Sequence, residues 1–115
     1  MKDLHALREL LRAFVGERDW DQFHSPKNLS MALSVEASEL MELFQWLTEE
    51  QSRKLPPEKL AQVRDEMADV LVYLVRLADK LDVDLLEAAA RKIEKNALKY
   101  PAGKVRGSMK KYSDY

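Results

Sequence analysis

Five glutamates and no lysine or arginine lie between Lys27 and Arg53. Three of them, Glu36, Glu39 and Glu42, interrupt an otherwise apolar stretch, Leu29-Ser-Met-Ala-Leu-Ser-Val-Glu-Ala-Ser-Glu-Leu-Met-Glu-Leu-Phe-Gln-Trp46. A second acidic pair, Glu66 and Asp69, breaks into the apolar run that ends at Val75. No cation stands three or four places from Glu36, Glu39, Glu66 or Asp69. Carboxylates in apolar surroundings are costly unless something positive neutralises them. Each pair is spaced i, i+3, which puts both side chains on one helical face. Two such helices side by side and antiparallel would gather four carboxylates, a set of hard oxygen donors suited to Mg²⁺. A solvated acidic face is the ordinary reading of Glu-x-x-Glu, but the apolar flanks and the missing cations weigh against it here.

The elements that must position these groups are helical. Apolar residues recur with the helical period, and no useful length alternates with period two. A first helix is expected over about 3–18, with Leu4, Leu7, Leu11, Phe14 and Val15 on one stripe. A linker, 19–25, ends in Ser25-Pro26, a capping hydroxyl followed by a proline whose fixed φ suits a first turn. The second helix carries Leu29, Leu33, Glu36, Leu40, Leu43 and Leu47, so Glu36 falls on the inward stripe. Leu55-Pro-Pro57 separates it from a third helix over about 58–81, with a seam of Leu60, Val63, Met67, Val70, Leu74, Leu77 and Leu81. Ala68, Val72 and Val75 make its other side apolar too, which calls for more neighbours than a monomer offers and so for an oligomer. A fourth helix is expected over about 84–100, stopped by Pro101. The expected organisation is one helical domain, 1–101, and a basic flexible tail, 102–115.

Composition narrows the rest. At 115 residues the chain makes one domain, at the size where association often adds stability. Nineteen basic residues balance twenty acidic ones, so no nucleic-acid footprint is advertised. With no cysteine there is no disulfide, thiolate ligand or cysteine nucleophile. The longest apolar run, Val70–Val75, falls far short of the roughly 18 residues of a membrane span. Together with a charged N-terminus this gives a cytoplasmic expectation. Glycines occur only at 16, 103 and 107, too few and too scattered for a Gly-rich phosphate loop. A di-iron bundle would need Glu-x-x-His motifs; neither His5 nor His24 follows a glutamate by three.

Glu36-x-x-Glu39, a gap of 26 residues and Glu66-x-x-Asp69 together resemble the signature of the MazG-like all-α nucleoside triphosphate pyrophosphatases. Four further segments are similar to the dCTP pyrophosphatase branch of that family: 18–29, Glu42-Leu-Phe-Gln-Trp46, 65–74, and Lys92-Ile-Glu-Lys-Asn96 leading to Tyr100-Pro101. The resemblance spans about residues 10–101 and implies an antiparallel four-helix bundle assembled as a homodimer or homotetramer. It implies Mg²⁺-dependent hydrolysis of a nucleoside triphosphate, a dNTP with dCTP or a relative favoured, to the monophosphate and pyrophosphate, as nucleotide-pool house-cleaning. Glu36, Glu39, Glu66 and Asp69 would be the metal ligands and the catalytic carboxylates.

In similar enzymes the tryptophans matching Trp20 and Trp46 line a base pocket, where an indole stacks on a nucleobase. By themselves the two read equally as core aromatics. His24, Tyr73, Lys92 and Asn96 complete the expected substrate contacts, against a plain reading of His24 as structural and of the Lys92–Asn96 face as solvated. Leu11 replaces a histidine found in the animal dCTP pyrophosphatases, which leaves strict dCTP preference open. Two other functions fit the same acidic cleft: a nucleotide-binding sensor without turnover, and a helical adaptor for a basic partner.

Overall fold

The structure is a computed structural model and describes residues 1–109. It is all-helical, with no strand among the described residues. The elements are α1 (Leu4–Glu17), a 3-10 turn (Asp21–Phe23), α2 (Pro26–Glu42), α3 (Glu49–Arg53), α4 (Pro57–Lys80), α5 (Leu85–Lys99) and α6 (Ala102–Val105). The chain separates into two compact units, residues 1–82 and the part from Val83 onward.

In the first unit α4 is the spine, with α2 and α1 packed on it. Asp3 caps α1 by accepting from the Ala6 amide at 2.7 Å, and Leu7, Leu11 and Val15 form the buried stripe. The helix ends in a paired turn: Asp19 donates to Gly16 O at 3.2 Å and Trp20 to Val15 O at 3.1 Å. Asp19 takes the left-handed conformation at the hinge of that turn (φ 54°), and Asp82 does the same after α4. Glycine usually fills this position, and aspartate is among the few other residues that tolerate it. Ser25 caps α2 through the Asn28 amide at 3.1 Å, and Asn28 Nδ2 donates back to Phe23 O at 3.0 Å. Both ends of the linker are therefore fixed, and Leu29, 1% exposed, plugs the core immediately beyond it.

Side-chain pairs give the α2–α4 register. Asp21 and His24, leading into α2, meet Arg76 near the end of α4, while Glu36 and Glu39 meet Glu66 nearer its start. The two helices run antiparallel.

The second helix stops at Glu42, five residues short of the expected Leu47. Leu43, Phe44 and Gln45 still donate backward in tight turns, but Thr48 and Gln51 then form a reciprocal capping box that starts α3. The restart satisfies orphan amides that a continuous helix would not have exposed.

The seam expected along α4 is only partly inside. Of that seam Val63 is buried and Val70 and Leu77 are half-buried, whereas Leu60, Met67, Leu74 and Leu81 remain exposed, Met67 by 56%; Val75, from the other side, and Ala78 are buried as well. In the second unit, Asp84 caps α5 through the Glu87 amide at 3.0 Å, and no α5 residue is buried. Of the expected tail, 102–105 form a short helix, and 110–115 lie outside the described residues. No helix among the described residues is long and apolar enough to cross a membrane.

Leu29→Ala should cost about 2–5 kcal/mol, the range for truncating a buried leucine. Ser25→Ala, which removes only a cap, should cost about 1 kcal/mol. Urea unfolding of the two variants side by side checks the order.

Candidate metal and substrate site

Glu36 and Glu39 lie one turn apart on α2, and Glu66 faces them from α4. One carboxylate oxygen from each can be chosen so that all three lie within 4.8 Å of one another. All three residues are half-buried. Asp69, exposed and one turn further along α4, stands outside this group, but its charge still bears on both Glu36 and Glu66. Glu42, at the end of α2, is exposed and outside the group as well.

No ion pair reaches any of these acidic residues among the described residues. Glu36 Oε2 and Glu66 Oε2 are buried and accept no hydrogen bond. Burial, then the adjoining Glu39 carboxylate, pushes Glu36 up to about 7. Burial and the Glu39 charge also raise Glu66. Like charges this close resist joint ionisation unless a cation intervenes. Hard oxygen donors, two of them without partners, fit a divalent cation well. The site is an acidic group able to hold a metal ion.

The other expected site residues stand outside this group. Trp46, in the turn between α2 and α3, is 87% exposed, so it is no core aromatic in this chain. Trp20, 46% exposed, sets its ring edge-on to Phe14, with centroids 5.9 Å apart. Tyr73 is half-buried on α4, one turn beyond Asp69. Lys92 and Asn96 stand one turn apart on α5, both exposed, within the second unit. His24 is half-buried and accepts from Arg76 Nε at 3.2 Å.

That last contact belongs to a cluster absent from the expectations above. Arg76, 3% exposed, is the one buried charged residue among those described. It donates to Asp21 Oδ1 (3.0 Å) and Asp79 Oδ2 (3.4 Å) as well as to His24. Lys80 joins at Asp21 Oδ1 (2.6 Å), and Arg12 clamps both oxygens of Asp79 at 2.8 and 2.6 Å. Lys80 and Arg76 hold the Asp21 carboxyl below its ordinary range, and Arg12 does the same for Asp79. The sequence signal was an arginine inside Leu74-Val75-Arg76-Leu77-Ala78.

Comparison with known proteins adds three findings. The model of the MazG-like family matches residues 31–115. Over 113 residues the chain is 46% identical to dCTP pyrophosphatase 1 of Mus musculus, covering 96% of this chain. The corresponding Homo sapiens protein is 43% identical over the same length. The chain spans 66% of the length of each of these two relatives. A crystal structure of a pyrophosphatase from Archaeoglobus fulgidus superposes with a TM-score of 0.80 at 40% identity, covering 84% of this chain and 91% of that one.

The raised carboxyls fix a pH dependence. Glu36 holds its proton more tightly folded than unfolded, so its stabilising contribution is full below the ordinary glutamate range. It fades as pH rises through about 7. Without metal, the melting temperature should fall between about pH 5 and 8, and Glu36→Gln should flatten the fall. A divalent cation needs ionised carboxylates, so its stabilising effect should grow across the same window. Asp21 and Asp79, with lowered values, act only at more acid pH. Thermal melts across the window, with and without added cation, check all three trends.

Proposed function

The chain belongs to the MazG-like family, and we propose that it is an Mg²⁺-dependent nucleoside triphosphate pyrophosphatase. The substrate in this reading is a dNTP, dCTP or a close relative favoured, and the products are the monophosphate and pyrophosphate. The similarity to dCTP pyrophosphatase 1 supports the substrate class. The observation that carries the chemistry is the pair of buried, partnerless oxygens, Glu36 Oε2 and Glu66 Oε2, within a three-carboxylate group.

Glu36, Glu39, Glu66 and Asp69 would hold the metal, the first three from one cluster and Asp69 from the adjoining turn. Bound there, Mg²⁺ supplies neutralisation of charge on the phosphate oxygens. In the reaction, a water oxygen bonds to the α-phosphorus as the bond to the bridging oxygen of the β-phosphate breaks, and pyrophosphate leaves. Either Glu36 or Glu39 orients that water. Glu36 Oε2, which accepts no other hydrogen bond, is suited to take its proton.

The substrate's other end needs flat and polar surfaces. The exposed face of Trp46 and the half-exposed ring of Trp20 are available for stacking on a base. In this reading His24 and Tyr73 supply hydrogen-bonding groups, and the family resemblance adds Lys92 and Asn96, an ammonium and an amide. Self-association to a homodimer or homotetramer is part of the proposal. It is supported by exposed apolar residues along α4 (Met67, Leu71, Leu74) and α5 (Leu86, Ile93, Leu98). A cytoplasmic house-cleaning role completes the reading.

Incubation with dCTP and Mg²⁺, followed by phosphorus NMR, tests the reaction. Pyrophosphate and dCMP should appear together; accumulation of dCDP would sink the assignment. Glu39→Ala or Asp69→Ala should abolish turnover while leaving helicity intact.

Trp46→Ala separates a stacking role from a packing role. Loss of one base stack removes roughly 1–3 kcal/mol, so KM should rise about 5- to 150-fold if it tracks binding. The melting temperature should hardly move, because the side chain is 87% exposed. A large loss of stability with an unchanged KM would refute the stacking role.

A further inference from the structure

The Arg76 cluster lies outside the carboxylate group, yet it grips the turn that carries Trp20 and His24. Each guanidinium nitrogen of Arg76 has its own partner: Nε meets His24 Nδ1, Nη2 meets Asp21 Oδ1, and Nη1 meets Asp79 Oδ2. A guanidinium has donors only. His24 Nδ1 must therefore present its lone pair to Arg76, and the ring proton of the neutral imidazole must sit on Nε2.

We propose that Arg76 is a positioning residue for the substrate site: it fixes His24 in the Nε2–H tautomer and pins the Asp21–Phe23 turn against α4. The inference deepens the pyrophosphatase reading and rests on it for the identity of the substrate. Its consequence is chemical. A locked Nε2–H is a donor without a charge, able to hold a phosphate oxygen or a base acceptor in one orientation.

Burial and the surrounding charges together disfavour a charged ring. From α4, Arg76 and Lys80 face it; from its own turn, Asp21 does. Asp79 and Arg12 lie behind Arg76. Three cations against two carboxylates leave a net positive setting, unfavourable to an imidazolium. Burial first, then Arg76, holds His24 below the ordinary histidine range. Arg76 itself tolerates burial because all three nitrogens are engaged and two of its partners are carboxylates. The geometry also fixes the backbone. Asp21 follows Trp20 directly, so the bonds from Arg76 and Lys80 hold the turn close to the indole, whose other support is the edge contact with Phe14.

The test reads the ring nitrogens directly. In the ¹⁵N-labelled full chain, long-range proton–nitrogen correlation should show His24 Nδ1 with a pyridine-type shift and Nε2 with a pyrrole-type shift. His5→Gln settles which ring is which. Arg76→Met should give a mixture of tautomers, raise the titration midpoint of His24, and raise KM for dCTP roughly 3- to 10-fold, with kcat changing less.

Asp21→Asn keeps the Arg76–His24 bond and should keep the single tautomer, so the idea stays testable if Arg76→Met does not fold. A wild-type His24 that carries its proton on Nδ1, or that mixes tautomers, would overturn the lock. An unchanged KM in an Arg76→Met protein with mixed tautomers would overturn the substrate role. Absence of wild-type turnover on any dNTP would instead remove the pyrophosphatase reading, which the ring shifts do not measure.

Discussion

Mutual repulsion among carboxylates at the α2–α4 interface is the constraint around which the rest is arranged. Glu36, Glu39 and Glu66 meet where two long helices pack, and two of their oxygens are buried without a partner. A fold selected for stability alone would place leucines there, since orphaned buried oxygens cost rather than contribute. Burial first, then the Glu39 carboxylate beside it, pushes Glu36 up to about 7, so the metal-free protein relieves the conflict by retaining a proton. A bound cation relieves it without the proton. The group is thus most strained in the ionised state, the one that would attract a metal in the proposed function.

Holding like charges together requires an anchor elsewhere on the same two helices. The anchor sits about three to four turns along α4 from Glu66, where Arg76 and Lys80 grip Asp21 and Arg76 also meets His24, while Asp79 holds Arg12 of α1. Here the signs are opposed and the geometry is good, including a bidentate clamp that suits a guanidinium. In this cluster only the Arg76 and Asp79 side chains are largely buried; Asp21 and Arg12 are largely exposed, so their pairs are screened and add little stability by themselves. Their value is register. They fix which residues of α2 stand opposite Glu66, and they bring α1 and the Trp20 turn to the same helix. One stretch of α4 therefore carries Glu66 of the acidic group, and the other fixes the alignment of α2 opposite it.

Much of this was legible in the residues. The helical period, Ser25-Pro26, Pro56-Pro57 and Pro101 placed the long helices to within a few positions. The absence of local cations singled out the carboxylates before any contact was known. Two kinds of information were not local. The restart at Thr48 was present as a capping box, but continued three- and four-residue leucine spacing overrode it, and periodicity alone does not say where a helix stops. Arg76 was hidden for a different reason. A lone arginine in an apolar run looks like the edge of a face, and its partners Asp21 and His24 are 55 and 52 residues away in sequence. Trp46 was ambiguous because a large aromatic beside a leucine run serves a core or a pocket equally well; its exposure removes the first option.

The apolar seam of α4 links stability to the proposed site. Among the described residues the buried hydrophobic side chains are Leu7, Leu11, Val15, Leu29, Val63, Val75 and Ala78, while Met67, Leu71 and Leu74 remain exposed among the positions that carry Glu66 and Asp69. Domains of this size bury a modest share of their surface, and each of these half-exposed side chains forgoes part of the roughly 1.5–3 kcal/mol that full burial gives. In the proposed homo-oligomer those residues would be covered by another copy. That covering would also lower the dielectric around the neighbouring carboxylates, strengthening both their repulsion without metal and their attraction for it. Assembly, metal binding and the raised proton affinity of Glu36 would then be one linked equilibrium, because Glu36 faces the same turns of α4 that carry Glu66 and the exposed apolar residues.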